Sequence, residues 1–133
     1  MKKAVVYWSG TGNTEAMAKA VAEGAGAPLI SAADFGAAQA AEFDGIAFGC
    51  PAMGAEALEE SEFEPMFESV KGSLAGKRVA LFGSYGWGDG EWMQLWEDDC
   101  RAAGISLVCP SVICQGEPDA QALAKCKALG AAL

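Results

Sequence analysis

Lys3-Ala4-Val5-Val6-Tyr7-Trp8-Ser9-Gly10-Thr11-Gly12-Asn13-Thr14 is the stretch that decides the fold. Its first six residues are mostly apolar, the pattern of a strand buried on both faces. A turn containing two glycines follows. From residue 14 to residue 23 a helix is expected, with Met17, Ala20, Val21 and Gly24 on one face. Gly24 and Gly26 are expected to end it.

The same alternation continues outward. Residues 27–31 read as a short strand whose early pairing Pro28 limits. Residues 32–44 are alanine-rich and weakly patterned, with room for a short helix. Residues 45–50 read as a third strand, closed by Pro51. A glutamate-rich stretch leads into a helix ending near Val70. Residues 77–83 read as a fourth strand, followed by a loop over 84–90 and a helix over about 91–103. A fifth strand begins at 105–108, is interrupted by Pro110 and resumes at Val112. A last helix over about 119–132 turns Leu123, Cys126 and Leu129 inward. Five strand–helix alternations without repeat or linker predict an α/β domain spanning 1–133. Its sheet is doubly wound, five-stranded, parallel and ordered 2-1-3-4-5, with helices on both faces.

Such sheets bind ligands at the carboxyl ends of their strands. The loops after strands one, three and four (9–14, 51–56 and 84–90) would converge there. Ser9, Thr11 and Thr14 supply hydroxyls and Asn13 an amide, while Gly10 and Gly12 let the backbone curl around a ligand. The following helix points its positive end at the same place, which suits a phosphate. A nucleoside-triphosphate loop would need a lysine, and no basic residue lies between Lys3 and Lys19. A dinucleotide fingerprint would need a third glycine where Glu15 stands, although Asp34 could imitate its acidic ribose contact. A compact monophosphate fits best, yet the turn taken alone is also compatible with an ordinary βα turn capped by Thr or Asn.

Ser84-Tyr85-Gly86-Trp87-Gly88-Asp89-Gly90 puts large flat rings on the third loop. A planar ligand stacked on Trp87 or Tyr85 would account for that, as would loop packing. Met53 in the neighbouring loop could close the other face. Trp92 and Trp96, four apart on a helix, read as core. Trp8, beside the phosphate turn, could serve either purpose.

The chain has no histidine, which removes the commonest general base and metal ligand. Its five cysteines show no metal-type spacing and suit buried small hydrophobes in a reducing compartment. A formal net charge of −9 argues against nucleic acid and anionic lipid as partners. No apolar run is long enough for a membrane span or a signal segment, so a cytoplasmic location is expected.

Residues 7–15, 49–54 and 83–90 together resemble the three FMN loops of short-chain flavodoxins, the kind found in anaerobic bacteria. The resemblance covers nearly the whole chain. It implies non-covalent FMN and low-potential one-electron transfer between redox enzymes; the chain's acidity adds the expectation that this runs mainly via semiquinone and hydroquinone, with no catalytic residues or metal. Ser9, Gly10, Thr11, Gly12, Asn13 and Thr14 match the phosphate loop. Pro51, Ala52, Met53, Gly54, Ala55 and Glu56, with Ser84, Tyr85, Gly86 and Trp87, match the ring loops. In that match Trp87 is the outer stack and Met53 the inner cover. The Gly54–Ala55 peptide turns over on reduction, and Glu56 bonds flavin N3–H. Ala55 stands where related proteins more often carry Asp, Ser or Asn.

Each exposed charge about 10 Å from the ring contributes roughly 0.4 kcal/mol against the anionic reduced form at water-like dielectric. Glu56, Glu59, Glu60, Glu62, Glu64 and Glu68 could steer redox partners with basic docking faces, or could simply form a solvated helix face. A monomer is expected. An NAD(P)H:quinone reductase of similar fold would need a second pocket, for which little chain is spare. A signalling receiver would need an Asp ending strand three, where Cys50-Pro51 stands.

Overall fold

The computed structural model of the chain describes residues 2–54, 56–86 and 88–133. The expected outer stack, Trp87, and the Ala55 side of the switching peptide lie outside the described residues.

The elements run β1 (Lys3–Tyr7), α1 (Asn13–Ala25), β2 (Leu29–Ser31), a 3-10 turn (Ala32–Asp34), α2 (Ala37–Ala40), β3 (Gly45–Gly49), α3 (Phe63–Lys71), β4 (Arg78–Tyr85), α4 (Glu91–Ala102), β5 (Val112–Gln115) and α5 (Ala120–Ala132). Every neighbouring strand pair is parallel, and the order is β2-β1-β3-β4-β5, as the alternation predicted. Tyr7 pairs with Gly49 and Gly49 with Phe82, so the carboxyl ends of β1, β3 and β4 lie side by side.

Period-two alternation sorts the strand residues onto two unlike faces. Val6, Ile46, Phe48, Val79 and Leu81 point toward α3 and α4, with Phe63, Phe67, Trp92 and Trp96 packed above them. Trp96 meets Phe63 and Phe67 edge-on, at centroid distances of 5.4 and 5.6 Å. Both tryptophans of α4 are therefore core, as their spacing implied. On the other face Val5, Ala47, Ala80 and Phe82 lie under α1 and α5.

The contact between α1 and α5 corrects the expected helix end. Gly24 stays inside α1, which is closed instead by Gly26 in the left-handed region at φ 64°. A Cβ at Gly24 would strike the backbone carbonyl of Lys127, and one at Gly130 would strike that of Val21. The two glycines let the helix backbones touch, which is why neither helix tolerates a side chain there.

The alanine-rich segment yields only the 3-10 turn and one turn of α2, because only Ala32, Phe35 and Ala40 are buried in the core, with Phe43 packed at its edge. Before β5, Leu107 makes a single bridge to Val79. Pro110, lacking an N–H, separates that bridge from Val112. β4 runs two residues further than expected, so Ser84 and Tyr85 belong to a strand end rather than a loop.

Candidate functional site

A cavity of about 270 Å³ opens at the aligned strand ends. It is lined by Trp8, Ser9, Gly10, Thr11, Asn13, Thr14, Pro51, Ala52, Met53, Ser84, Tyr85, Gly86 and Gly116. Eleven of these were expected from sequence; Gly12, Gly54 and Glu56 stand just outside the lining. Trp8 does both things open to it: it lines the cavity and packs against the core under α3 and α4. Gly116 was missed. Its only sequence signal is the turn Gln115-Gly116-Glu117-Pro118 that ends the last strand. A larger groove of about 480 Å³, between β5 and α5, lies off the strand ends and shares no residue with this cavity.

The turn after β1 is arranged around two residues. Gly12 is the N-cap of α1 at φ 97°, a left-handed conformation costly for a residue with a Cβ, and it has no side chain with which to cap the helix. Ser9 does that work from three residues back. Its Oγ accepts hydrogen bonds from the N–H groups of Gly12 (3.1 Å) and Glu15 (3.2 Å). The Ser9 hydroxyl therefore shapes the loop, and only its proton remains for a ligand. Thr14 is the opposite case: it is 1% exposed, and its Oγ1 has no hydrogen-bond partner among the described residues. Thr14 lines the cavity, so this hydroxyl is an unspent donor at the first turn of a helix, beside the space a ligand would enter.

The ring side is held by bonds between loops. Glu56, itself left-handed at φ 56°, accepts the Trp92 N–H through Oε2 at 2.7 Å. The N-cap of α4 is Gly90, which has no capping side chain, so Glu56 completes that helix from another loop and sets a negative charge at its positive end. The Trp92 indole donates to the Cys50 carbonyl at 3.3 Å. The Ser84 hydroxyl donates to the Gly116 carbonyl at 2.7 Å, the Gly116 N–H to the Tyr85 carbonyl at 2.8 Å, and the Gln115 amide to the Gly86 carbonyl at 3.2 Å. A fourth loop thus braces the third. Met53 is exposed at the cavity mouth, and Gly54 is left-handed at φ 44°.

The acidic run is not one surface, which corrects its expected grouping. Glu59 is 4% exposed, and its carboxylate accepts from the N–H groups of Ser61, Glu62 and Phe63 and from the Ser61 hydroxyl. Burial pushes its carboxyl up, but the Ser61 hydroxyl and the three N–H groups outweigh that and leave it below the ordinary carboxylate range. Glu59 closes the start of α3. Glu60, Glu62, Glu64 and Glu68 are exposed, and Glu62 accepts the Trp8 indole N–H at 3.0 Å. Burial raises the Cys50 thiol to about 12, and its sulfur accepts the Glu59 N–H at 3.4 Å; this thiol is inert packing. Among the described residues no cluster of His, Cys, Asp and Glu could hold a metal, and no helix is long and apolar enough to cross a membrane.

A parallel sheet of this order, with a glycine-containing turn after its first strand and a cavity at its switch point, defines a doubly wound α/β protein of the flavodoxin-like class. The flavodoxin family model matches residues 5–130. A flavodoxin of Clostridium beijerinckii is 48% identical over 120 residues, covering 86% of this chain and 87% of that protein. A flavodoxin of Megasphaera elsdenii is 43% identical over 133 residues, covering 96% and 95%. The solution structure of two-electron reduced Megasphaera elsdenii flavodoxin superposes with a TM-score of 0.86 at 44% identity, covering 98% of this chain and 96% of that one. The chain belongs to the flavodoxin family, whose members bind FMN and carry electrons.

Proposed function

We propose that residues 1–133 act as one FMN-binding unit that carries single electrons at low potential between redox proteins and turns over no substrate of its own. The observation that carries this reading is the buried Thr14 hydroxyl, unpartnered on the wall of a cavity at the start of α1. It fits a phosphate that is held by neutral donors. Ser9, Thr11, Asn13 and Thr14, with the backbone of Gly10 and Gly12, would hold the phosphate. Pro51, Ala52, Met53, Gly54, Ala55 and Glu56, with Ser84, Tyr85, Gly86 and Trp87, would hold the ring. Gly116 adds its backbone to that set.

FMN, when bound, supplies the one-electron chemistry. The chain's residues bind it and orient it. Glu56 Oε1, its partner oxygen committed to α4, is the acceptor suited to the flavin N3–H. A net charge of −9 opposes placing further negative charge in the cavity and so favours a low potential. Exposed Glu60, Glu62, Glu64 and Glu68 suit redox partners with basic docking faces. The reading includes a cytoplasmic monomer that binds neither nucleic acid nor membrane.

An absorbance spectrum of the purified protein is the test. Flavin bands at one FMN per chain are expected. A colourless protein that takes up no FMN overturns the reading. Electron transfer to a basic partner should slow as ionic strength rises, and a rate indifferent to salt would remove the docking role of the glutamates.

A further inference from the structure

The phosphate turn has room on both sides of it, and that room is acidic. One outer recess, about 270 Å³, adjoins Trp8, Ser9 and Gly10 and contains Tyr7, Glu15 and Glu62. A second, about 440 Å³, adjoins Thr11 and Asn13 and contains Glu117. Both reach Gly12, and neither is lined by a lysine or arginine. Glu15 accepts from the Tyr7 hydroxyl at 3.4 Å, and Glu62 from the Trp8 indole at 3.0 Å. Neutral donors thus hold both carboxylates in place. Among the described residues, none of Glu15, Glu62 and Glu117 is in an ion pair.

We propose that Glu15, Glu62 and Glu117 determine cofactor specificity, confining the site to a mononucleotide flavin by repelling the second phosphate of a dinucleotide flavin such as FAD. The inference rests on the FMN reading of the cavity. A ligand whose first phosphate sits on the turn and that continues along the protein surface to either side of it passes into one of the two recesses. Space does not forbid this, since each recess is as large as the cavity itself or larger. Charge does. The turn offers neutral donors enough for one phosphate. A second would bring its negative charge beside one or two carboxylates with no cation to offset them. Trp8 divides the cavity from the first recess, and its indole bond to Glu62 keeps that carboxylate at the boundary.

The test is calorimetric titration of flavin-free protein with FMN, FAD and riboflavin, for the wild type and for the combined variant Glu15→Gln, Glu62→Gln and Glu117→Gln. Glutamine keeps an acceptor for Tyr7 and Trp8, so the recess walls persist. The expected result is a preference for FMN over FAD that narrows about tenfold in the variant, with riboflavin affinity unchanged. High salt should narrow the wild-type preference in the same direction. An FMN-to-FAD ratio that neutralisation leaves unchanged overturns the inference. So does a discrimination that persists in the neutralised variant until Trp8→Ala is added to it, which would make the exclusion steric. A wild type that binds none of the three flavins would instead refute the FMN reading, so the two failures are distinguishable.

Discussion

At the end proposed to take the phosphate, the cavity is lined by Ser9, Gly10, Thr11, Asn13 and Thr14, all from one short turn. At its ring end it is made by residues between 51 and 116 that meet through hydrogen bonds spanning 29, 32 and 36 positions. The first end is local: Ser9 folds the turn onto Gly12 and Glu15, and the helix behind it does the rest. The second end has no local reason to hold its shape. Glu56 bonds α4, Ser84 bonds Gly116, and Gln115 bonds Gly86, so each loop is positioned by a neighbour in space. A phosphate grip can therefore persist when the ring platform is loosened, and the two should be separable by mutation.

Thr14→Val should show the separation most sharply. It removes the buried donor and keeps the shape, so FMN affinity should fall by about 1.5–3 kcal/mol, roughly ten- to a hundredfold, as for a hydrogen bond to a charged group. Riboflavin, which lacks the phosphate, should bind as before. Calorimetric titration with both ligands checks this, and an equal loss for both would break the contrast between the two ends.

Glu56→Ala should do the reverse. It removes the cap on α4 and the tie between two ring loops, with an expected loss of about 1–2 kcal/mol in stability toward urea. FMN and riboflavin should weaken by the same factor. A loss confined to FMN would place Glu56 at the phosphate end instead.

Gln115→Leu is a milder version of the same test. Losing one exposed amide–carbonyl bond should cost about 0.5–1.5 kcal/mol at most, seen as a few-fold faster release of riboflavin and FMN alike in stopped flow.

The smallest effect concerns Glu59, which touches neither end but closes α3 behind both. Its carboxyl lies below its ordinary value in the folded protein. It therefore stabilises the fold above the unfolded carboxylate value of about 4.3, and that contribution is lost as pH falls through the folded value. Urea unfolding between pH 3 and pH 7 should show a shallower acid loss for Glu59→Gln than for the wild type. Parallel pH curves would remove Glu59 from the acid response.

The local end was also the legible one. The donors of the turn, its missing lysine and the helix behind it are all visible within residues 9–15. The strands were legible for the same reason, because burial on two faces leaves apolar runs in the chain itself. What escaped was long-range. Gly116 carries no side chain to announce it, and its place follows from β5 pairing with β4. Glu59 looked like its acidic neighbours because a capping carboxylate and a solvated one are the same residue type. Gly24 looked like a helix stop because nothing nearby shows that α5 presses on it.

By itself the sequence determined the strand–helix alternation, the sheet order it implies and the set of donors on the first turn. These depend on periodicity and on neighbours within a few positions. Only the tertiary structure decided which glutamate caps, which faces solvent and which ties two loops, and only it left Thr14 buried without a partner among the described residues. Those outcomes depend on which atoms meet across the sheet, and residue type alone does not carry that information.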